Sequence, residues 1–176
     1  MSSGLGFSVR IARAVLVAAF ATGWAVWLAA APAIAAGPAS RPAAWASAVA
    51  YRAGAMICHQ QDARSLHVDG VRMPVCARCV GLYAGGAAGA LLAALWIVAA
   101  RRAPILPLAR WRVAAIACGI PTLAAWAAEH VAGLAVSGTT RALLAVPLGA
   151  AVAAIVTLWS GGAAFEDTPA GSALHS

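Results

Sequence analysis

Lysine is missing from this chain of 176 residues: all 12 of its basic residues are arginine. With alanine dominating the apolar runs, that choice reads as the compositional bias of a GC-rich genome, so arginine in place of lysine carries no functional weight. Charge of either sign is scarce, at 10% of residues against about a quarter in a water-soluble domain. With 63% hydrophobic residues, lipid is the expected solvent. Also missing are a phosphate-cradling glycine loop, a serine nucleophile elbow, an HExxH helix and any long internal repeat, which removes the usual soluble-enzyme readings. The net charge of +7 invites a nucleic-acid partner, but the arginines flank apolar runs and form no aromatic-interleaved stripe. Anchoring in anionic lipid headgroups accounts for them, and no nucleic-acid partner is expected.

Apolar runs long enough to cross a hydrocarbon core of about 30 Å are what the sequence does contain. The first covers about 11–36, behind Arg10 and Arg13, which places the N-terminus in the cytoplasm. Its basic front and the small-residue pattern Ala33-Ile34-Ala35 resemble a cleavable signal peptide, but the run exceeds the usual apolar core of about 15 residues. A retained anchor is therefore expected. A turn at 37–42 leads into a short helical pattern with Trp45, Val49, Tyr51 and Arg52, suited to a helix lying at the membrane interface. Further spans are expected over about 80–100, 113–134 and 142–165. The first two of these are separated by a link carrying Arg101, Arg102, Arg110 and Arg112, kept non-helical by Pro104 and Pro107. Residues 166–176 read as a disordered tail. Gly81, Gly85 and Gly89 repeat at four-residue spacing, a stripe on which another helix packs closely, within this chain or from a second copy in a homo-oligomer.

The loop at 57–79 holds the chemistry. Cys58, Cys76 and Cys79 crowd into it with His59 and His67, whereas Cys118 lies alone in an apolar run and reads as a small packing residue. Asp69-Gly70 is suited to a hairpin tip, because both residues tolerate positive φ, and such a turn folds the two halves of the cysteine set together. Pro74 gives an extended approach into Cys76.

Thiolate and imidazole are the preferred ligands of Zn²⁺, so Cys58, Cys76 and Cys79 with His59, or alternatively His67, form a candidate site for zinc or another thiophilic metal. Arg64, Ser65, Arg72 and Arg78 would support it or bind an anionic lipid headgroup or phosphate group. Glu129-His130 interrupts the third span or ends it at the interface. A carboxylate at membrane depth costs about 2.5 kcal/mol or more unless paired, and Arg64 or Arg78 is the expected partner. Two other readings use the same cysteines. A Cys-x-x-Cys pair at a helix start, with Arg78 between, favours thiolate and suits a membrane thiol–disulfide oxidoreductase passing electrons to a quinone near Trp96 or Trp126. An inert structural disulfide is the remaining alternative in an extracytoplasmic loop.

The strings Cys58-His59-Gln60, Arg64-Ser65 and Pro74-Val75-Cys76-Ala77-Arg78-Cys79, followed by Gly81, Tyr83 and Gly85, resemble the signature of a prokaryotic integral-membrane family of unknown function, number 2085 in the series of such domains. Pro121, Arg141 and Gly149 match it more loosely. Leu66 replaces a usual aromatic, and Val80 a usual small hydroxyl residue. The resemblance implies a small helical protein of a prokaryotic cell membrane and supplies no activity. The expected fold is thus an all-α bundle in one domain, 1–165, of four transmembrane helices, an interfacial helix and an extracytoplasmic Cys/His loop.

Overall fold

The computed structural model describes residues 2–38, 40–100 and 105–166. Arg101, Arg102 and Pro104, with residues 167–176 of the expected tail, lie outside them. The chain is an all-α membrane bundle. Its helices are α1 (Ser2–Ala36), α2 (Arg41–Ile57), α3 (Ala77–Ala100), α4 (Leu108–His130) and α5 (Gly138–Ser160). All but α2 contain stretches long and apolar enough to cross a membrane: Phe7–Ala36, Ala77–Ala100, Ala109–His130 and Gly138–Ser160. Many large apolar side chains on these four face outward, Phe20, Leu92, Ile116 and Leu143 among them, as lipid-facing surfaces do.

Helices α3 and α5 form the centre of the bundle. A Cβ at Gly81, Gly85 or Gly89 would lie 1.9, 2.1 and 2.1 Å from the carbonyl oxygens of Ala142, Val146 and Ala150, and one at Gly149 would lie 2.1 Å from that of Leu82. Only glycine permits backbones this close. The stripe is thereby occupied by α5 of the same chain. Helix α1 packs on α3, and α4 on α5.

Two apolar clusters lie at opposite ends. Ala14, Ala18, Ala90, Ala94, Ile97 and Leu158 pack at the end that carries the N-terminus, while Leu28, Ala31, Ala50, Cys58 and Val75 pack at the other. Helix α2 is joined to α1 there by Ser47 Oγ donating to the Ala31 carbonyl (2.8 Å) and Trp27 Nε1 donating to that of Ala46 (3.2 Å).

Strands β1 (Ser65–Val68) and β2 (Val71–Cys76) form an antiparallel hairpin whose central residues, Asp69 and Gly70, have φ of 50° and 76°. Positive φ at both is the tight turn that matches strand twist. His67 pairs with Arg72 and Ser65 with Cys76; one residue separates the first partners along β1 and three separate the second along β2. Pro74, which has no N–H to offer a ladder, sits in that bulge.

Several expected boundaries shift. Helix α4 begins at Leu108 and not near 113, because Pro107 precedes the helix and leaves the residues after it free to coil. Arg110 and Arg112 are therefore helical. Helix α5 begins at Gly138, where the Ser137 hydroxyl accepts the Thr140 N–H at 3.1 Å as an N-cap, and it ends at Ser160 before Gly161 and Gly162. Phe165, expected in the last span, belongs instead to strand β4 (Ala164–Glu166), parallel to β3 (Ile105–Pro107).

Candidate functional site

At one end of the bundle the C-terminus of α2, the hairpin, the N-terminus of α3, the C-terminus of α4 and the N-terminus of α5 converge. Cys58 caps α2 and Cys76 ends β2 immediately before α3, whose first turn carries Arg78 and Cys79. The sulfurs of Cys58, Cys76 and Cys79 all lie within 4.8 Å of one another. Each cysteine is a free thiol. Cys58 is buried and accepts the Cys76 backbone N–H at 3.2 Å, while the other two are half-buried.

The local backbone is held by Gln60. Its φ of 47° lies in the left-handed region, costly for a residue with a Cβ, and it follows directly on the Cys58-His59 pair. Its Nε2 donates to the carbonyls of Tyr51 (2.9 Å) and Pro74 (2.7 Å), and its own carbonyl and Oε1 accept from Arg72. Gly54 lets β2 approach: a Cβ there would meet the Pro74 oxygen at 2.1 Å. Arg72 is thus engaged in fastening the turn.

A cleft of about 340 Å³ opens over the sulfurs, lined by Ile57, Cys58, His59, Gln60, Gln61, Arg64, Cys76, Arg78, Cys79 and Arg141. Glu129, at the end of α4, accepts from Arg78 Nη2 at 3.1 Å through Oε2 and from Arg141 Nε through Oε1. Its side chain is only 8% exposed, so the carboxylate is sequestered with both partners. Arg64 approaches His130 Nε2 at 3.4 Å, and the His130 ring stacks on Trp126. Ser65 Oγ donates to the Gln61 carbonyl at 2.9 Å and supports the turn.

Of the two imidazoles weighed as ligands, His59 lines the cleft. His67 does not; on the exposed side of the hairpin it lies 3.1 Å from Asp62 Oδ1. Among the described residues no imidazole belongs to the three-sulfur group. Arg141 joins the site from α5, outside the cysteine loop. Its signal was a lone arginine in the first turn of an otherwise apolar helix.

Cys76 is set up as a thiolate. Its pKa is held down to about 5, first by the hydrogen bond from the Cys79 thiol, then by the Cys79 N–H, the Cys58 thiol and the Arg78 N–H, against the opposing effect of burial. These amides belong to the first turn of α3, where a helix has unpaired donors and favours negative charge.

The sulfur spacing suits a metal ion. Bonds of about 2.3 Å at tetrahedral angles put zinc-bound sulfurs about 3.8 Å apart, so small side-chain adjustments bring the three thiols to one ion. The donor set is soft, as zinc and other thiophilic ions require.

Residues 58–155, more than half of the chain, match the family described as "Predicted membrane protein (DUF2085)". The chain belongs to this family. The matched DUF2085 region begins at Cys58 itself and takes in the hairpin, the Cys-x-x-Cys turn, Glu129 and Arg141, leaving α1 and α2 outside. Uncharacterized protein MJ1492 of Methanocaldococcus jannaschii is 43% identical over 42 residues, which are 24% of this chain and 27% of that relative. The match thus spans about a quarter of the relative's length. No solved structure matches the chain.

Proposed function

We propose that this member of the DUF2085 family binds a thiophilic metal ion, zinc foremost, through Cys58, Cys76 and Cys79 at one face of the membrane. The mutual approach of the three sulfurs carries the reading. His59, on the wall of the same cleft, is the proposed fourth ligand, and His67 is set aside because Asp62 holds it on the other side of the hairpin. Three protein sulfurs with a fourth position filled by His59 or solvent is a donor set seen in both structural and reactive zinc sites. When bound, such an ion supplies Lewis acidity at the cleft.

Orientation follows from the arginines. Arg64, Arg72, Arg78 and Arg141 are engaged at the site end and weigh less in the positive-inside balance, which leaves Arg41 and Arg52 of α2 against Arg10, Arg13, Arg110 and Arg112 at the opposite end. That balance favours an N-terminus in the cytoplasm and a thiol cleft outside it.

Elemental analysis of the reduced, purified protein tests the metal reading. About one zinc per chain is expected in the wild type and none in Cys76→Ser. Absence of stoichiometric metal from the wild type sinks it.

The low pKa of Cys76 favours a second reading, thiol–disulfide exchange with a membrane-side partner. A partner dithiol would exchange with an oxidised Cys76–Cys79 disulfide through a mixed disulfide at Cys76, leaving the partner oxidised and both cysteines as thiols, whose two electrons and two protons a quinone would take to restore the disulfide. Of the aromatic residues proposed for a quinone, Trp96 stands 17 residues along α3 from Cys79, about 26 Å away, and only Trp126 is at the cleft end. Accumulation of a mixed disulfide in Cys79→Ser supports this reading, and its absence removes it.

A further inference from the structure

Three arginines reach the thiol cleft from three elements: Arg64 from the turn before β1, Arg78 from the start of α3 and Arg141 from the start of α5. Among the described residues the cleft lining contains no carboxylate. Glu129 bonds two of the guanidiniums from outside that lining and balances one charge, which leaves the wall with an excess of positive charge. Each guanidinium has five N–H donors, more than one shared carboxylate satisfies. Among the described residues Arg78 Nε, although buried, has no acceptor, which leaves that guanidinium short of a partner. Among the described residues Arg64 meets only an imidazole as a side-chain partner, and that ring already faces the Trp126 carbonyl through Nδ1 at 2.9 Å. The separate guanidinium bonded to Gln60, that of Arg72, is not part of this wall.

We propose that the cleft is an oxyanion site in which a phosphate group, borne by a soluble phosphate compound or by a lipid headgroup, seats among Arg64, Arg78 and Arg141 beside the Cys58–Cys76–Cys79 sulfurs. A carboxylate is matched by a single guanidinium fork, whereas inorganic phosphate or a phosphomonoester, soluble or on a lipid headgroup, presents three or more strongly accepting oxygens and a higher charge. Convergence of three forks suits the latter. Glu129 is a positioning residue that fixes two forks at the cleft wall and keeps them from folding away. The inference goes beyond the metal reading, since it rests on the arginines and holds whether or not the sulfurs carry an ion.

The thiols make a built-in reporter. Full-length protein in phosphatidylcholine nanodiscs, reduced and treated with chelator, is alkylated with anionic iodoacetate or neutral iodoacetamide, and each cysteine peptide is quantified by mass spectrometry. Both reagents react with thiolate, so their rate ratio cancels the thiolate fraction and isolates the attraction of the cleft for an anion. The ratio at Cys76 is expected to exceed that of the unfolded chain several-fold and to fall by about threefold or more in Arg64→Gln and Arg141→Gln. Arg64 is exposed, so Arg64→Gln keeps the test valid should Arg141→Gln fail to fold.

Inorganic phosphate at millimolar concentration is expected to abolish the preference if soluble phosphate is the ligand class; replacement of part of the phosphatidylcholine, a phosphodiester, by phosphatidic acid, a phosphomonoester, does so if the headgroup is. Either result supports the proposal and identifies the source. A ratio equal to that of the unfolded chain, or one unchanged by Arg64→Gln and by both phosphate sources, overturns it. Zinc content measured on the same samples separates the two readings: a chain without zinc but with the anion preference loses only the metal reading, and a zinc-loaded chain without it loses only this one.

Discussion

Arg78 Nη2 lies 3.1 Å from Glu129 Oε2, joining the first turn of α3 to the last turn of α4. Through its other oxygen Glu129 also holds Arg141 at the start of α5, so one carboxylate gathers three helix ends around the thiol cleft. The guanidinium of Arg141 reaches further, to the Ala63 carbonyl at 3.4 Å, and so touches the turn that precedes the hairpin. The site is therefore braced by charge where the helices leave the lipid.

Glu129→Gln should loosen that brace. The amide cannot serve two guanidiniums as a charged acceptor, and two sequestered cations lose their counterion. We expect a loss of about 1–2 kcal/mol, read as a lower Tm in nanodiscs, together with faster protease cleavage in the 131–137 link. A Tm equal to that of the wild type would show that the pairs do not brace the helix ends.

Neighbouring glycines on α3 predict opposite responses to one methyl group. At Gly85 a Cβ would sit 2.1 Å from the Val146 oxygen, while at Gly86 its nearest neighbour is the Ala153 Cβ at 3.8 Å. Gly85→Ala must force α3 and α5 apart, at a cost of about 1–3 kcal/mol. Gly86→Ala should be neutral or stabilise by up to about 1 kcal/mol through helix propensity. Thermal unfolding of the two variants side by side decides the matter, and equal behaviour would contradict the close packing.

Acid should weaken the reduced, metal-free protein through Cys76. The thiol has an ordinary pKa of 9.0 and one of about 5 in the folded chain, so between these values the folded state binds fewer protons than the unfolded. The contribution is full above about 9 and is lost as pH falls through the window towards 5. Cys79→Ala removes the largest cause of the depression and should move the iodoacetamide inflection of Cys76 upward. An inflection left near 5 in that variant would show that the helix amides suffice.

The parts of the fold legible in the sequence were those encoded over short distances. Four apolar runs announced four spans, Asp69-Gly70 announced the hairpin turn, and the four-residue spacing of Gly81, Gly85 and Gly89 announced a face that accepts another helix. The partner on that face, α5, is some 60 residues away along the chain by the spacing of Gly85 and Val146, and no local pattern specifies it. Strands β3 and β4 are three residues each, too short to show alternation. At the site, the cysteines were conspicuous as residue types, but the choice between His59 and His67 depended on the register. The bulge at Pro74 slides Cys76 opposite Ser65 and leaves His67 opposite Arg72, away from the sulfurs. Arg141 becomes a site residue only when α5 folds back against Glu129.

Gln60 offers a last test, because its backbone and its side chain pull in opposite directions. A φ of 47° costs a residue with a Cβ about 1–2 kcal/mol, and glycine is free of that cost. The side chain offsets it by donating to the Tyr51 and Pro74 carbonyls and accepting from Arg72, bonds that tie α2 to β2 across the Cys58 turn. Gln60→Ala keeps the strained backbone and loses the bonds, whereas Gln60→Gly loses the bonds but relieves the strain. Gln60→Ala should therefore be less stable than Gln60→Gly by about 1 kcal/mol, and both should fall below the wild type. Because the same bonds hold Cys58 against Cys76, the alanine variant should also bind zinc more weakly in a competition titration with a chromogenic chelator. Equal stability of the two variants would mean that the left-handed turn at residue 60 is not retained when its side chain is removed.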